Sequence, residues 1–171
     1  MNLYGWTAGP LGPILLTSDG PSLTGLYFQG QKYEPRTGPG AGPGARRDDD
    51  HAVFRETAGQ LARYFAGRER CFQVRLSFSG SPFQNEVWRA LIEIPYGTTT
   101  TYGELAERLG RPAAARAVGA AVGRNPLSII IPCHRVLGRN GSLTGYAGGL
   151  DRKKALLELE ARGLGRTVQP T

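Results

Sequence analysis

The chain has 171 residues, 40% of them hydrophobic, which suits one domain or two small ones and excludes a chain disordered throughout. No apolar run approaches the ~20 residues that span a bilayer, Met1 to Leu16 lacks the pattern of a secretion signal, two cysteines exclude a disulfide scaffold, and a four-ligand zinc site is not expected because it would need every Cys and His from scattered positions. The net charge of +7 favours a polyanionic partner, and between Glu107 and Asp151 lie Arg108, Arg111, Arg116, Arg124, Arg135 and Arg139 without a single carboxylate, the composition of a phosphate-binding surface.

The first third reads as β structure. Pro13–Ser18 and Leu23–Phe28 are short strands joined by the turn residues Asp19-Gly20-Pro21. Thr37 to Ala45 is rich in Gly, Pro and Ala and reads as a loop or linker. Asp48-Asp49-Asp50 places acids at the start of a helix, where the macrodipole favours them. Phe54, Ala58, Leu61 and Phe65 then mark its apolar face, and it ends near Gly67. Phe72, Val74, Leu76 and Phe78 alternate with polar residues as a half-buried strand, with Cys71 at its start as a small packing residue.

A second unit begins near Ser79, giving predicted domains 1–78 and 79–171. Ser81-Pro82-Phe83-Gln84 carries a capping box with proline at the first helical position. The helix should run to about Ile94 with Phe83, Val87, Ala90, Leu91 and Ile94 inward, and Pro95-Tyr96-Gly97 stops it. Thr101 to Glu104 repeats the cap and opens a short helix from Tyr102 to Leu109; Gly110 ends it and Pro112 starts the next. Two short helices around a glycine turn read as a helix-turn-helix. The second, Pro112 to Gly123, is almost free of side-chain bulk. Small residues such as Ala115 and Ala117 suit close packing on one face and close approach to DNA on another. Arg116 is the one long side chain among them, able to insert between bases.

Ile129-Ile130-Ile131 reads as a short buried strand that Pro132 ends, presenting Cys133. His134 and nearby arginines supply a proton acceptor and positive potential, both of which lower a thiol's pKa and favour the nucleophilic thiolate. Adjacent side chains in an extended segment point apart, so a water would carry the proton between Cys133 and His134.

Ile131-Pro132-Cys133-His134-Arg135-Val136 resembles the active-site motif of the O6-alkylguanine-DNA alkyltransferases. Arg116-Ala117-Val118-Gly119, Asn125-Pro126, Tyr146-Ala147-Gly148-Gly149-Leu150 and Glu160 fall at family-like spacing, so the resemblance covers residues 79 to about 162 closely. It implies an α+β fold: an N-terminal antiparallel sheet with one helix, then a mainly helical, winged-helix-like C-terminal domain. It implies an enzyme that acts once. Double-stranded DNA is held through the minor groove, an O6-alkylguanine is flipped out, and its alkyl group passes irreversibly to Cys133 without metal or cofactor.

The same resemblance assigns roles. His134 takes the thiol proton, Glu160 orients the imidazole, Tyr102 donates to the departing guanine, and Asn125 holds the turn at the active-site segment. Arg116 fills the gap left by the base, while Ala115, Ala117, Arg124 and Arg135 join it at the DNA. Tyr146, the Ala147 backbone N–H and the carbonyls of Cys133 and Val136 form the base pocket. Some relatives carry serine at the position of Ala147, so a hydroxyl contact is lost here. A monomer working in the cytoplasm, nucleoid-associated when bound to DNA, is expected. Two other readings compete. Non-enzymatic alkyltransferase-like proteins bind lesions but replace the acceptor cysteine, which is intact here. A helix-turn-helix regulator needs polar side chains for base readout, and the alanine-rich helix offers only Arg116.

Overall fold

A computed structural model describes residues 3–37 and 44–166, and the chain divides into two compact units, Met1–Phe78 and Ser79–Thr171. Most of the Gly/Pro-rich stretch from Thr37 to Ala45 lies outside the described residues.

The first unit is a sheet with one helix. Strands β1 (Leu3–Thr7), β2 (Ile14–Ser18) and β3 (Leu23–Phe28) form an antiparallel meander in the order β3-β2-β1. A two-residue β4 (Arg46–Arg47) pairs with β1 in parallel, so the sheet has one parallel edge. Helix α1 (Ala52–Phe65) follows. His51 is its N-cap and no acid lies in its first turn. The three aspartates precede the helix instead: Asp49 accepts from the Trp6 backbone N–H at 2.9 Å and pairs with Arg47, and Asp48 pairs with Arg46. The buried face of α1 is Phe54, Thr57, Gln60, Leu61 and Tyr64, while Ala58 and Phe65 are only half-buried. The i, i+3, i+7, i+10 stripe wins because Tyr64 stacks edge-on and tilted with Phe65 and Phe72 and is itself fully covered.

Residues 72–78 keep the expected alternation of half-buried and exposed side chains but are not a strand. One parallel bridge, Leu23 to Leu76, holds them: the Leu23 N–H donates to Arg75 at 2.8 Å and the Ser77 N–H donates to Leu23 at 3.0 Å. Cys71 is exposed rather than packed.

The second unit is built on helices α2 (Pro82–Ile92), α3 (Tyr102–Arg108), α4 (Ala115–Gly123) and α5 (Leu150–Gly163). Both capping boxes form, Ser81 with Gln84 and Thr101 with Glu104. Each satisfies two otherwise orphaned N–H groups, and a lost cap costs about 1 kcal/mol. Helix α2 stops at Ile92, two residues early; it buries Val87, Trp88 and Leu91, with Phe83 and Ala90 half-covered. Trp88 locks α2 to α4, its indole N–H donating to the Ala121 carbonyl at 2.9 Å. Residues 112–114 form a 3-10 turn leading into α4, which buries Val118, Ala121 and Val122 and exposes Arg116, Ala117 and Ala120. Among the described residues no helix is long and apolar enough to cross a membrane, and no group of three or more His, Cys, Asp or Glu side chains could hold a metal ion.

Candidate active site: a buried thiol and a Glu–His–Arg cluster

Two short devices assemble the site. The first is a two-residue parallel ladder between β5 (Thr100–Thr101) and β6 (Val136–Leu137). It registers the start of α3, and hence Tyr102, beside the segment carrying Cys133. The second is a run of tight turns from Leu127 to Arg135 in place of the expected isoleucine strand. Its hydrogen bonds are local: the Ile131 N–H donates to Leu127 and the Cys133 N–H to Ile131, both at 2.8 Å. All three isoleucines are buried, yet among the described residues no strand pairs with them. Ile129 adopts φ +71°, costly for a β-branched residue, and such strain concentrates at functional sites.

Asn125 ties this turn together. Its side-chain N–H2 donates to the Ile131 carbonyl at 2.8 Å and to the Cys133 sulfur at 3.0 Å, while its oxygen accepts from the Leu127 N–H at 2.9 Å. Cys133 stands on a 3-10 turn, Cys133–Arg135, and is 4% exposed. Burial pushes its thiol pKa up, opposed by the Asn125 hydrogen bond and by the charge of Lys153. The lowered resting pKa expected from neighbouring positive charge is therefore not present; desolvation outweighs it.

His134 is fully buried, and its Nε2 lies 2.7 Å from Glu160 Oε1. Its Nδ1 is buried with no hydrogen-bond partner among the described residues. Burial lowers the imidazole pKa, and Glu160 only partly opposes this. Burial also acts on Glu160, raising its pKa, but the hydrogen bonds of His134 and Arg135 overcome it and hold the carboxyl well below the usual range. The carboxylate also accepts from the Gly97 N–H at 3.0 Å. Gly97 has φ +71° and a Cβ there would run into Leu164, so only glycine presents that N–H.

Arg135 corrects a sequence expectation. It is 6% exposed and offers no guanidinium to DNA. Its Nε donates to Glu160 Oε2 at 3.0 Å and its Nη2 to Oε1 at 2.9 Å, with Nη1 on the Ile94 carbonyl. Arg116 and Arg124 are exposed on and just after α4, with Ala115 half-buried and Ala117 exposed.

The remaining expected residues converge on the same segment. The Tyr102 hydroxyl donates toward the Thr144 and Gly145 carbonyls at 3.3 and 3.4 Å, and burial, followed by the charge of Cys133, raises its pKa. Tyr146 has a buried hydroxyl beside Ser128, and burial raises its pKa well above normal. Val136 is fully buried, and Ala147 is half-buried. A cleft of about 530 Å³ is lined by Tyr102, Gly103, Glu107, Ala115, Arg139 and Asn140 among others. Cys133 is not part of its lining, but Tyr102 belongs to the cleft and lies within electrostatic reach of the sulfur.

Lys153 escaped the sequence reading. Its ammonium is wholly buried and donates to the carbonyls of Val136 at 2.6 Å, Thr144 at 2.9 Å and Gly145 at 3.3 Å. Burial lowers its pKa to about 8. The available signal was helical spacing: Lys153, Leu156 and Glu160, at i, i+3 and i+7, are the buried face of α5.

A strained turn presenting a buried thiol, backed by a carboxylate–imidazole pair on a helix-turn-helix scaffold, defines a DNA-directed cysteine transferase. Two family models together span nearly the whole chain: 6-O-methylguanine DNA methyltransferase, ribonuclease-like domain, over residues 2–78, and the DNA binding domain of the same name over 82–162. The chain belongs to the 6-O-methylguanine DNA methyltransferase family. It is 51% identical over 152 residues to the methylated-DNA–protein-cysteine methyltransferase of Mycobacterium bovis, covering 88% of this chain and 87% of that one. It is 46% identical over 158 residues to the protein of that name from Haemophilus influenzae, covering 92% and 85%. A crystal structure of Mycobacterium tuberculosis OGT in complex with DNA superposes with a TM-score of 0.85 at 45% identity, over 94% of each chain.

Proposed function

We propose that this protein repairs double-stranded DNA by transferring alkyl groups from the O6 position of guanine to its own Cys133, once per molecule. The observation that carries the reading is the Cys133 sulfur held by Asn125 beside a His134–Glu160 pair, in a family whose named relatives are methylated-DNA–protein-cysteine methyltransferases. The resting thiol is protonated, so attack requires a base. His134 Nδ1 is a buried acceptor without a partner, and it receives the proton from sulfur through water. The sulfur attacks the alkyl carbon, an S–C bond forms, and the C–O bond breaks with its electron pair passing to the guanine. Tyr102 donates a proton or hydrogen bond to the departing base, so it need not leave as a full anion. The alkyl group remains as a thioether and nothing regenerates the thiol.

Arg116 projects from the exposed face of α4 and fills the space of the extruded guanine, with Ala115 and Ala117 allowing close backbone approach and Arg124 at the DNA. Tyr146 and the Ala147 backbone N–H contact the base. The carbonyls of Cys133 and Val136 receive its amine; the second carries Lys153 on one lone pair and has another to offer. The protein works as a monomer, in the cytoplasm and on the nucleoid when bound. The intact Cys133 argues against a non-enzymatic lesion binder.

Incubation with a duplex oligonucleotide containing O6-methylguanine tests this by intact mass. The expected result is one methyl in place of one proton, mapped to Cys133 and absent in Cys133→Ser, which still binds the DNA. No mass gain, or a methyl on Cys71, overturns the assignment.

A further inference from the structure

Arg135 lies in the acid-free basic stretch, yet its guanidinium is turned inward. A carboxylate offers about four lone-pair sites, and donors from His134, Arg135 and Gly97 occupy both oxygens of Glu160. Oε1 receives His134 Nε2 and Arg135 Nη2; Oε2 receives Arg135 Nε and the Gly97 N–H. The two guanidinium contacts form a bidentate fork, the strongest pairing available to a carboxylate.

Burial already disfavours an imidazolium at His134, and this division weakens the pull of Glu160 that would oppose burial. A buried carboxylate serving His134 alone would favour imidazolium, because the two charges would cancel. With Arg135 already neutralising Glu160, a protonated His134 would be a second cation on one carboxylate. Lys153, from α5, adds another positive charge within reach of His134. The other titratable groups here are the Cys133 thiol and the Tyr102 and Tyr146 hydroxyls that sense it, all neutral at rest.

We propose that Arg135 is a positioning residue which, by claiming both oxygens of Glu160, keeps His134 an uncharged imidazole with Nε2–H on the carboxylate and Nδ1 bare. The use of that bare Nδ1 as acceptor of the thiol proton rests on the proposed alkyl transfer; the protonation state and tautomer do not. When the proton arrives, the imidazolium shares Glu160 with Arg135. It therefore holds the proton weakly and returns it to water once sulfur carries the alkyl group.

The chain has only two histidines, so ring NMR titration resolves His134 directly, with His134→Gln assigning the signal. In the wild type, ¹⁵N shifts should report a neutral Nε2–H ring at neutral pH, staying neutral below the ordinary histidine midpoint of about 6.5. Arg135→Gln should raise the midpoint by about one pH unit or more, a tenfold change in protonation. Arg135→Lys, which keeps the charge, should stay near wild type. An imidazolium or an Nδ1–H tautomer in the wild type at neutral pH overturns the inference, and so does an unshifted Arg135→Gln. If Arg135→Gln does not fold, Arg135→Met, which fills the same buried space without the charge, carries the same expectation and the same refutation. Intact-mass methylation of the same sample separates the two claims. A neutral ring whose midpoint rises in Arg135→Gln, without alkyl transfer, defeats the functional reading and leaves Arg135 as assigned; transfer with a charged ring or an unshifted variant does the reverse.

Discussion

Asn125→Ala is the sharpest test of how the active-site turn is held. The substitution strips three interactions at once: donors to the Ile131 carbonyl and the Cys133 sulfur, and the acceptor for the Leu127 N–H. Asn125 is buried, so water cannot replace them freely. The Leu127 N–H is left unpaired, which costs about 1–3 kcal/mol, and the Ile131 carbonyl, which keeps the Cys133 N–H, loses one bond worth about 1 kcal/mol, so the loss is about 2–4 kcal/mol against a total of about 5–15 kcal/mol for an ordinary domain. The sulfur contact acts on rate. A hydrogen bond to a charged group is worth about 1.5–3 kcal/mol, which is about 10- to 150-fold in transfer if the bond is made to the developing thiolate. Asn125→Asp separates the effects. It keeps the acceptor for Leu127 but places a carboxylate against sulfur, making ionisation harder. Urea unfolding followed by Trp88 fluorescence in a Trp6→Phe background reads the second unit alone, since the chain has only these two tryptophans. Alkyl transfer is timed in parallel. The expected order is Asp more stable than Ala, with both slow. An Ala variant within ~0.5 kcal/mol of wild type, or an Asp variant transferring at full rate, refutes the reasoning.

Two further tests address the DNA face and the buried carboxylate. Arg116→Ala removes an exposed side chain, so stability should stay within about 0.5 kcal/mol, while repair of duplex DNA should fall more than reaction with free O6-methylguanine base; equal losses on both would remove the base-replacing role. Glu160 has a folded pKa below its unfolded value, so its stabilisation is complete above about pH 4.3 and drains away as pH falls through the folded value. Circular dichroism across that acid window should show a steeper loss of structure in the wild type than in Glu160→Gln, which is already weaker at neutral pH; parallel curves would mean that Glu160 does not set the acid limit.

Local chemistry was the legible part of this chain. Ser81 with Gln84 and Thr101 with Glu104 announce their helices because a capping box is a contact within four residues. Cys133 and His134 stand out from their own residues, whereas Glu160, Asn125 and Tyr102 enter only through the family resemblance, and the fold brings all five to one place. What stayed hidden depends on partners distant in sequence. Arg135 reads as one more basic residue until Glu160, 25 positions later, folds against it. The isoleucine run satisfies every local rule for a strand, but a strand needs a neighbour and these residues close tight turns instead. Lys153 looks like a solvated helix cation until its buried stripe mates are seen. The ladder that sets Thr101 against Leu137 has two residues a side, too short to leave a periodicity.

The contrast between the two cysteines gives a last test. A nucleophile that works once and is not regenerated is wasted by any stray electrophile, so its resting form should be inert. The structure supplies this twice over: Cys133 is shielded, and burial keeps it protonated, whereas Cys71 lies open on the first unit. The thiolate is the reactive species and access limits its encounters, so a small soluble alkylating reagent at neutral pH should label Cys71 first and Cys133 slowly. Alkylated DNA should reverse that order, because the base brings its carbon to the sulfur while His134 takes the proton. Peptide mapping after brief exposure distinguishes the two. If iodoacetamide modifies Cys133 as fast as Cys71, the sulfur is neither sheltered nor held protonated, and the need for His134 as base disappears with that.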